Sequence, residues 1–328
     1  MDKIKNFLQK LNIHYLFLGL VVIIVLVAAL RLFIWDNRAH QIEMTTESTS
    51  DFDTETLDNL VPYMYEAEPK DPKDMVIACF GNAPFSDDKD EDYNLANLIA
   101  KKTGATVHNF AFEDSYLSCK NYALEAGNND LFSLYWLTTI FAVDNDVIVD
   151  QYLEATPDAD PERVATLKAL QELDFNTVDV ITIMYDGSDY LDCRGMYNRD
   201  DSENIRHFGG ALEASIKLIK EQFPHMQIIV MAPPYAYGLE EDGSYVDSTL
   251  KTYGEEGPLA SYVTYQSEVC YKTFTTFIDV FYDSLSFFKA DEILEDHLHL
   301  TPEARELAAD EFMEGWEYYL KFRNKETK

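Results

Sequence analysis

The chain is poor in basic residues: Lys and Arg total 26 among 328 residues, against 59 Asp and Glu, a formal balance of −33. A surface this negative repels phosphate, which excludes nucleic acid and anionic lipid headgroups as partners. Cysteine is scarce as well. Cys79, Cys119, Cys193 and Cys270 are too few and too scattered for a disulfide scaffold, and no C-x-x-C pair offers zinc ligands. Buried free thiols are expected; if an oxidising compartment closes one bridge, Cys119 and Cys193 share a rim of the expected sheet. Neither a Walker loop nor a G-x-G-x-x-G occurs, so no cofactor is expected. Internal repeats are also missing.

Apolar material is abundant, at 47% of the chain with 13% aromatic, enough for one sizeable core plus appendages. One run, "YLFLGLVVIIVLVAALRLFIW" from Tyr15 to Trp35, is interrupted by a single charge, Arg31. As a helix its 21 residues reach roughly 31 Å, enough to cross a hydrocarbon core. The run exceeds a signal-peptide core, so an uncleaved anchor is expected over a cleaved leader. Lys3, Lys5 and Lys10 precede the span, while residues 36–74 hold 11 acids against Arg38, Lys70 and Lys73. This asymmetry predicts a cytoplasmic N-terminus (1–14), a transmembrane helix (15–35) and an extracytoplasmic remainder, placed in the cell membrane as a single-pass protein.

Residues 36–74 are acidic, rich in Ser and Thr and weakly periodic, which reads as a stalk ending at "PKDPKD". Beyond it lies a domain over 75–323 and a polar tail over 324–328. Five apolar runs, "MVIACF" (75–80), "TVHNFAF" (106–112), "VDVITIMY" (178–185), "QIIVMAP" (227–233) and "FTTFIDVF" (274–281), alternate with helical patterns. Strands apolar on both faces and separated by helices predict a three-layer α/β/α fold, with a five-stranded, mainly parallel sheet of flavodoxin-like type. The second apolar stretch, within 130–174, is broken by Asp144 and Asp146 and reads as packed helices. Residues 233–262 form a Tyr-, Gly- and acid-rich excursion, either a lid or solvated decoration.

Ligands of open α/β sheets sit beyond the carboxyl ends of the strands. The residues there are the turn "FGNAPFS", the segment "FEDSYLS", the segment "YDGSDYL" and, near the C-terminus, "EDHLHLTPEARE". Asp296 and His299, three apart in a turn, suit a carboxylate that orients an imidazole base. A helix N-terminus with a chance His and Asp is the bland alternative. A metal reading of Glu295, Asp296, His297 and His299 lacks further ligands to complete it, so no metal is expected.

The order of these blocks resembles the SGNH (GDSL-type) hydrolases, serine esterases and acyltransferases. Their G-D-S turn follows the first strand, a glycine the second, G-x-N-D the third, and D-x-x-H precedes the last helix. The likeness runs from residue 75 to about 320, and it implies His299 as base and Asp296 as its partner. It also places Gly81, Asn82 and Ala83 on the nucleophile turn, Asp114 at the glycine of the second block, and Ser188 and Asp189 in the third. Four of these positions depart from the family: Asn82 replaces the Asp of the turn, Ala83 has no hydroxyl, Asp114 brings a carboxylate, and Ser188 replaces the Asn donor. Ser86 is the candidate for a displaced nucleophile, with Ser115 behind it. The resemblance therefore implies an enzyme acting on acyl esters of cell-surface glycans or envelope polymers. The alternative is a non-catalytic relative that binds a glycan, an acylated ligand or a protein in the same cleft, where Asp114, Asp186 and Asp189 would attract cations. A third reading has the cleft idle and the domain serving only as an acidic surface on a stalk.

Overall fold

The computed structural model of the chain describes residues 56–253 and 256–324. The expected membrane span at 15–35 and the segments flanking it lie outside the described residues. Among the described residues no helix is long and apolar enough to cross a membrane.

Five strands make one sheet: β1 (Val76–Gly81), β2 (Thr106–Asn109), β3 (Val180–Met184), β4 (Gln227–Met231) and β7 (Thr276–Ile278). Their order is β2-β1-β3-β4-β7, and every neighbouring pair is parallel. The three central strands are apolar and almost wholly buried, as strands covered on both faces must be. Reversal of the order beside β1 makes a switch point where β1 and β3 diverge from their crossovers. Gly81 ends β1 there. A Cβ on Gly81 would lie 2.0 Å from the Met184 carbonyl oxygen, so only glycine lets β1 run this close to β3.

Short α1 (Ala83–Ser86) follows the turn, and α2 (Leu95–Thr103) follows α1. The Asn94 side chain caps α2 by accepting from Ala96 N at 3.0 Å, and Gly104 closes it at φ 74°. Residues 130–174 carry α3 (Leu134–Ala142), α4 (Asp146–Ala155) and α5 (Pro161–Glu172), packed helices as the broken apolar run predicts. After β3 come α6 (Ser188–Leu191) and α7 (Phe208–Gln222); α8 (Leu259–Lys272) precedes β7 and α9 (Ala290–Ile293) follows it. The last helix, α10 (Pro302–Arg323), starts at a Thr301 cap with Pro302 in its first turn. It buries Ala304, Ala308, Phe312, Trp316 and Tyr319 at helical spacing. α10 packs beside α2, while α3 and α8 flank α7, giving the two helical layers. The excursion after β4 folds into an antiparallel hairpin, β5 (Tyr237–Leu239) with β6 (Tyr245–Asp247).

Part of the segment read as stalk lies on the domain. Asn59 and Phe277 exchange backbone hydrogen bonds at 2.9 Å in both directions, and Tyr63 is buried against Tyr319. Residues 57–61 thereby cover the exposed edge of β7. All four thiols are free. Cys79, Cys119 and Cys270 are buried and Cys193 is exposed, so the Cys119–Cys193 bridge does not form.

Candidate active site

The turn after β1, the segment after β2 and the end of β3 are pinned together by one buried side chain. Asn82 donates from Nδ2 to Asp186 Oδ1 at 2.7 Å and to the Ser115 carbonyl at 3.0 Å, and its Oδ1 accepts from Asp186 N at 2.9 Å. Asp186 Oδ1 also accepts from Ser188 N at 2.9 Å. Burial raises the pKa of Asp186, and the donors from Ser188 and Asn82 oppose that rise. Ala83 opens α1 beside this pin, 6% exposed and without a hydroxyl.

Asp189 is a scaffold residue rather than a cleft wall. It is 1% exposed and accepts from Leu117 N at 2.8 Å, from Ser118 N at 3.0 Å and from the Ser118 hydroxyl. Asp114 takes the left-handed backbone, φ 56°, where a glycine would rest without strain. That is the backbone signature of the glycine that the family carries at this position. Its side chain, 85% exposed, faces Arg163 at 3.7 Å and solvent, so its charge is screened from the cleft. Ser115 is buried, its hydroxyl 3.4 Å from the Gly81 carbonyl. Ser86 ends α1 one turn beyond Ala83, its Oγ buried without a hydrogen-bond partner.

The Asp296–His299 pair is formed. His299 Nδ1 lies 2.7 Å from Asp296 Oδ2, and Asp296 Oδ1 accepts from Leu298 N at 2.7 Å and His299 N at 2.9 Å. The turn geometry follows from the sequence spacing, because one carboxylate caps two successive amides and still reaches the ring. Leu298 packs toward Gly187, which brings the His loop against the end of β3. Burial disfavours the Asp296 carboxylate, but these N–H groups and the imidazole overcome it and hold its pKa at about 2. For His299 burial works against the imidazolium; the hydrogen bond to Asp296 and the charges of Asp296, Asp87 and Asp186 outweigh it and raise the pKa. His299 thus turns Nδ1 to Asp296, which leaves Nε2 as the atom that would take a nucleophile's proton.

A cleft of about 620 Å³ opens over His299 and Ser86. Eight carboxylates border it: Asp87, Asp88, Asp90 and Glu91 beyond α1, Glu113, Glu162, and Glu295 and Asp296 in the His loop. The cations among its walls are Lys89 and Arg305. Arg305, 1% exposed, is committed to Asp88 at 2.8 Å and to the Leu300 carbonyl at 3.1 Å. Burial pushes Asp87 up to about 6, although His299 and Arg305 pull the other way. Asp87 and Arg305 were not singled out in the sequence. The acid run "DDKDED" directly after the turn was the available signal for Asp87; Arg305, on the second turn of α10, had none.

The arrangement can hold a cation and can protonate or deprotonate a bound group through His299. Of the amides at the strand ends, Ser188 N is already taken by Asp186.

No protein-family model matches this sequence, and no curated protein matches it. Solved structures do. One, 19% identical, aligns with 76% of this chain and 98% of its own at a TM-score of 0.53. A protein from Lactobacillus plantarum, 12% identical, aligns over 74% and 96% at 0.50. A third, from Parabacteroides merdae and named a GDSL-like lipase, is 17% identical over 77% and 100%, with a TM-score of 0.43. Identities this low speak to the fold alone. The first two share the fold of this domain, and its sheet order, with the four blocks at the carboxyl edge, agrees with the resemblance to the SGNH hydrolases.

Proposed function

We propose that this chain is a membrane-anchored, extracytoplasmic protein of SGNH-hydrolase fold whose cleft binds a cationic group, an ammonium above all, without hydrolysing an ester. The carrying observation is the cleft itself: eight carboxylates and His299 border it, with Ala83 at the nucleophile's place. A serine esterase needs a neutral imidazole and a site that welcomes an oxyanion. Here neighbouring carboxylates favour the imidazolium, and their field favours a cationic guest. The anchor is supported by the apolar run at 15–35 and the lysines before it. Such a protein would hold an amine-bearing cell-surface or envelope polymer, in place of the acyl transfer on such polymers that the family resemblance implies.

The test is turnover of p-nitrophenyl acetate by the whole chain, beside Ala83→Ser and His299→Ala. Wild type should be inert. Turnover by wild type that His299→Ala abolishes would refute the binding reading. Ala83→Ser should recover little, because the hydroxyl alone does not remove the charges of Asp87 and Asp186.

One observation favours a second reading, a serine esterase or acyltransferase with a displaced nucleophile. Ser86 Oγ is unpartnered and borders the same cleft as His299. A fluorophosphonate label mapped to Ser86 would establish that reading; an unlabelled chain would dismiss it.

A further inference from the structure

The His loop has two sides. On one, His299 faces the acidic cleft. On the other, His297 Nδ1 stands 3.8 Å from Asp296 Oδ1 and its ring meets that of Tyr245 at 5.9 Å. Tyr245, on β6, stacks on Tyr237 of β5 at 5.4 Å and 23°. Tyr237 is fixed in turn: its N–H donates to the His297 carbonyl at 2.8 Å and its hydroxyl to Asp291 Oδ1 at 3.2 Å. Behind it stands Tyr235, fully buried and edge-on at 5.3 Å. With one face on Tyr237 and a tilted His297 beside it, Tyr245 still keeps 52% of its surface open.

A flat aromatic face rimmed by carboxylates is the chemistry that holds a sugar ring. The axial C–H face of a pyranose lies on the aromatic ring, and its equatorial hydroxyls donate to an acceptor at the edge, here Asp291, which also holds the Tyr237 hydroxyl. The charge of the region excludes polyanionic glycans. Because Asp296 separates the stack from the cleft by a single side chain, one ligand can occupy both.

We infer that Tyr245, Tyr237 and His297 form a subsite for a pyranose ring of an amine-bearing glycan, whose ammonium enters the adjoining His299 cleft. This assignment rests on reading that cleft as a cation site, but stacking on Tyr245 does not depend on the ligand's charge, which lets the two be tested apart.

The experiment is calorimetric titration of the whole chain in a polyoxyethylene detergent, which carries no sugar. The probes are a glucosamine hexamer, its uncharged N-acetylated counterpart, and a lysine pentapeptide as a sugar-free cation. Tyr245→Ala should weaken both hexamers roughly three- to tenfold, the range of one aromatic stacking contact. Tyr245→Trp should restore them, and the pentapeptide should be indifferent to either change. Unaltered hexamer binding in Tyr245→Ala, or no binding of the uncharged hexamer to wild type, would overturn the subsite. Loss of pentapeptide and glucosamine binding on adding salt, with the uncharged hexamer unaffected, is expected of the cleft. Failure of the pentapeptide to bind would overturn the cation site while leaving the sugar subsite standing.

Discussion

Replacing Asn82 by Asp restores the residue that the family carries on its nucleophile turn, and in this chain it should be strongly destabilising. Asn82 donates two hydrogen bonds in a buried site, one to the carboxylate of Asp186 at 2.7 Å. An aspartate there sets two carboxylates face to face, and one of them must keep its proton. The retained O–H can serve only one acceptor. If it serves Asp186, the Ser115 carbonyl is left unpaired, a loss of about 1 to 3 kcal/mol. Holding a proton on an acid whose unfolded pKa is about 3.9 adds about 1.4 kcal/mol for each pH unit above that value. The sum is about 2.5 to 4.5 kcal/mol at pH 5 and about 6 to 8 kcal/mol at pH 7.5. Folding stabilities of domains are about 5 to 15 kcal/mol, so the variant should be folded at pH 5 and marginal at pH 7.5. The sign follows from linkage: the folded variant binds a proton that the unfolded chain releases, so stability falls as pH rises. Urea unfolding followed by tryptophan fluorescence, with Trp316 reporting from the core, measures it at pH 5, 6.5 and 7.5. Adding Asp186→Asn reverses the donor and the charge and should recover most of the loss. A loss below about 1 kcal/mol that does not vary with pH would refute the reasoning, because it would mean that the two side chains swing apart and Asn82 pins nothing.

Gly81→Ala should cost about 3 kcal/mol or more, read as a fall in urea midpoint, because its Cβ meets the Met184 carbonyl at 2.0 Å and both atoms belong to central strands. Asp114→Gly should stabilise by about 1 kcal/mol, seen as a higher melting temperature, by relieving a left-handed backbone; the ion pair lost with Arg163 is exposed and worth little. A double-mutant cycle on Asp296→Asn and His299→Gln should give a coupling of about 0.5 to 1 kcal/mol, modest because both side chains are about 40% exposed. That coupling should peak between about pH 4 and 6.5. The raised pKa of His299 gives stability that is lost as pH rises through its folded value, and the depressed pKa of Asp296 gives stability that is lost as pH falls toward 2.

Sequence periodicity alone was enough for the layers of this fold. Val76–Phe80, Val180–Met184 and Ile228–Met231 are apolar without alternation, which leaves a strand no option but burial on both faces. The Asp296–His299 pair was legible for a similar reason: three residues of turn suffice to bring the two side chains together, so local geometry decides it. Gly81 and Ala83 were legible as positions, since a strand end and its turn are contiguous in the chain.

What surrounds that pair was decided elsewhere. Asp189 reads as a cleft acid in sequence, yet its carboxylate is turned inward to the amides of Leu117 and Ser118, some 70 residues away. Asp114 reads as an obstacle to an oxyanion, yet its left-handed backbone throws the side chain out to Arg163. Asp87, Glu162 and Glu295 come from three separate segments, and only the folded chain brings them to one cleft. The charge of a residue is written in the sequence, but the field at a cleft is a sum over distances that only the folded chain sets. That position 83 carries no hydroxyl was therefore visible from the start, whereas which carboxylates border the cleft was a tertiary decision.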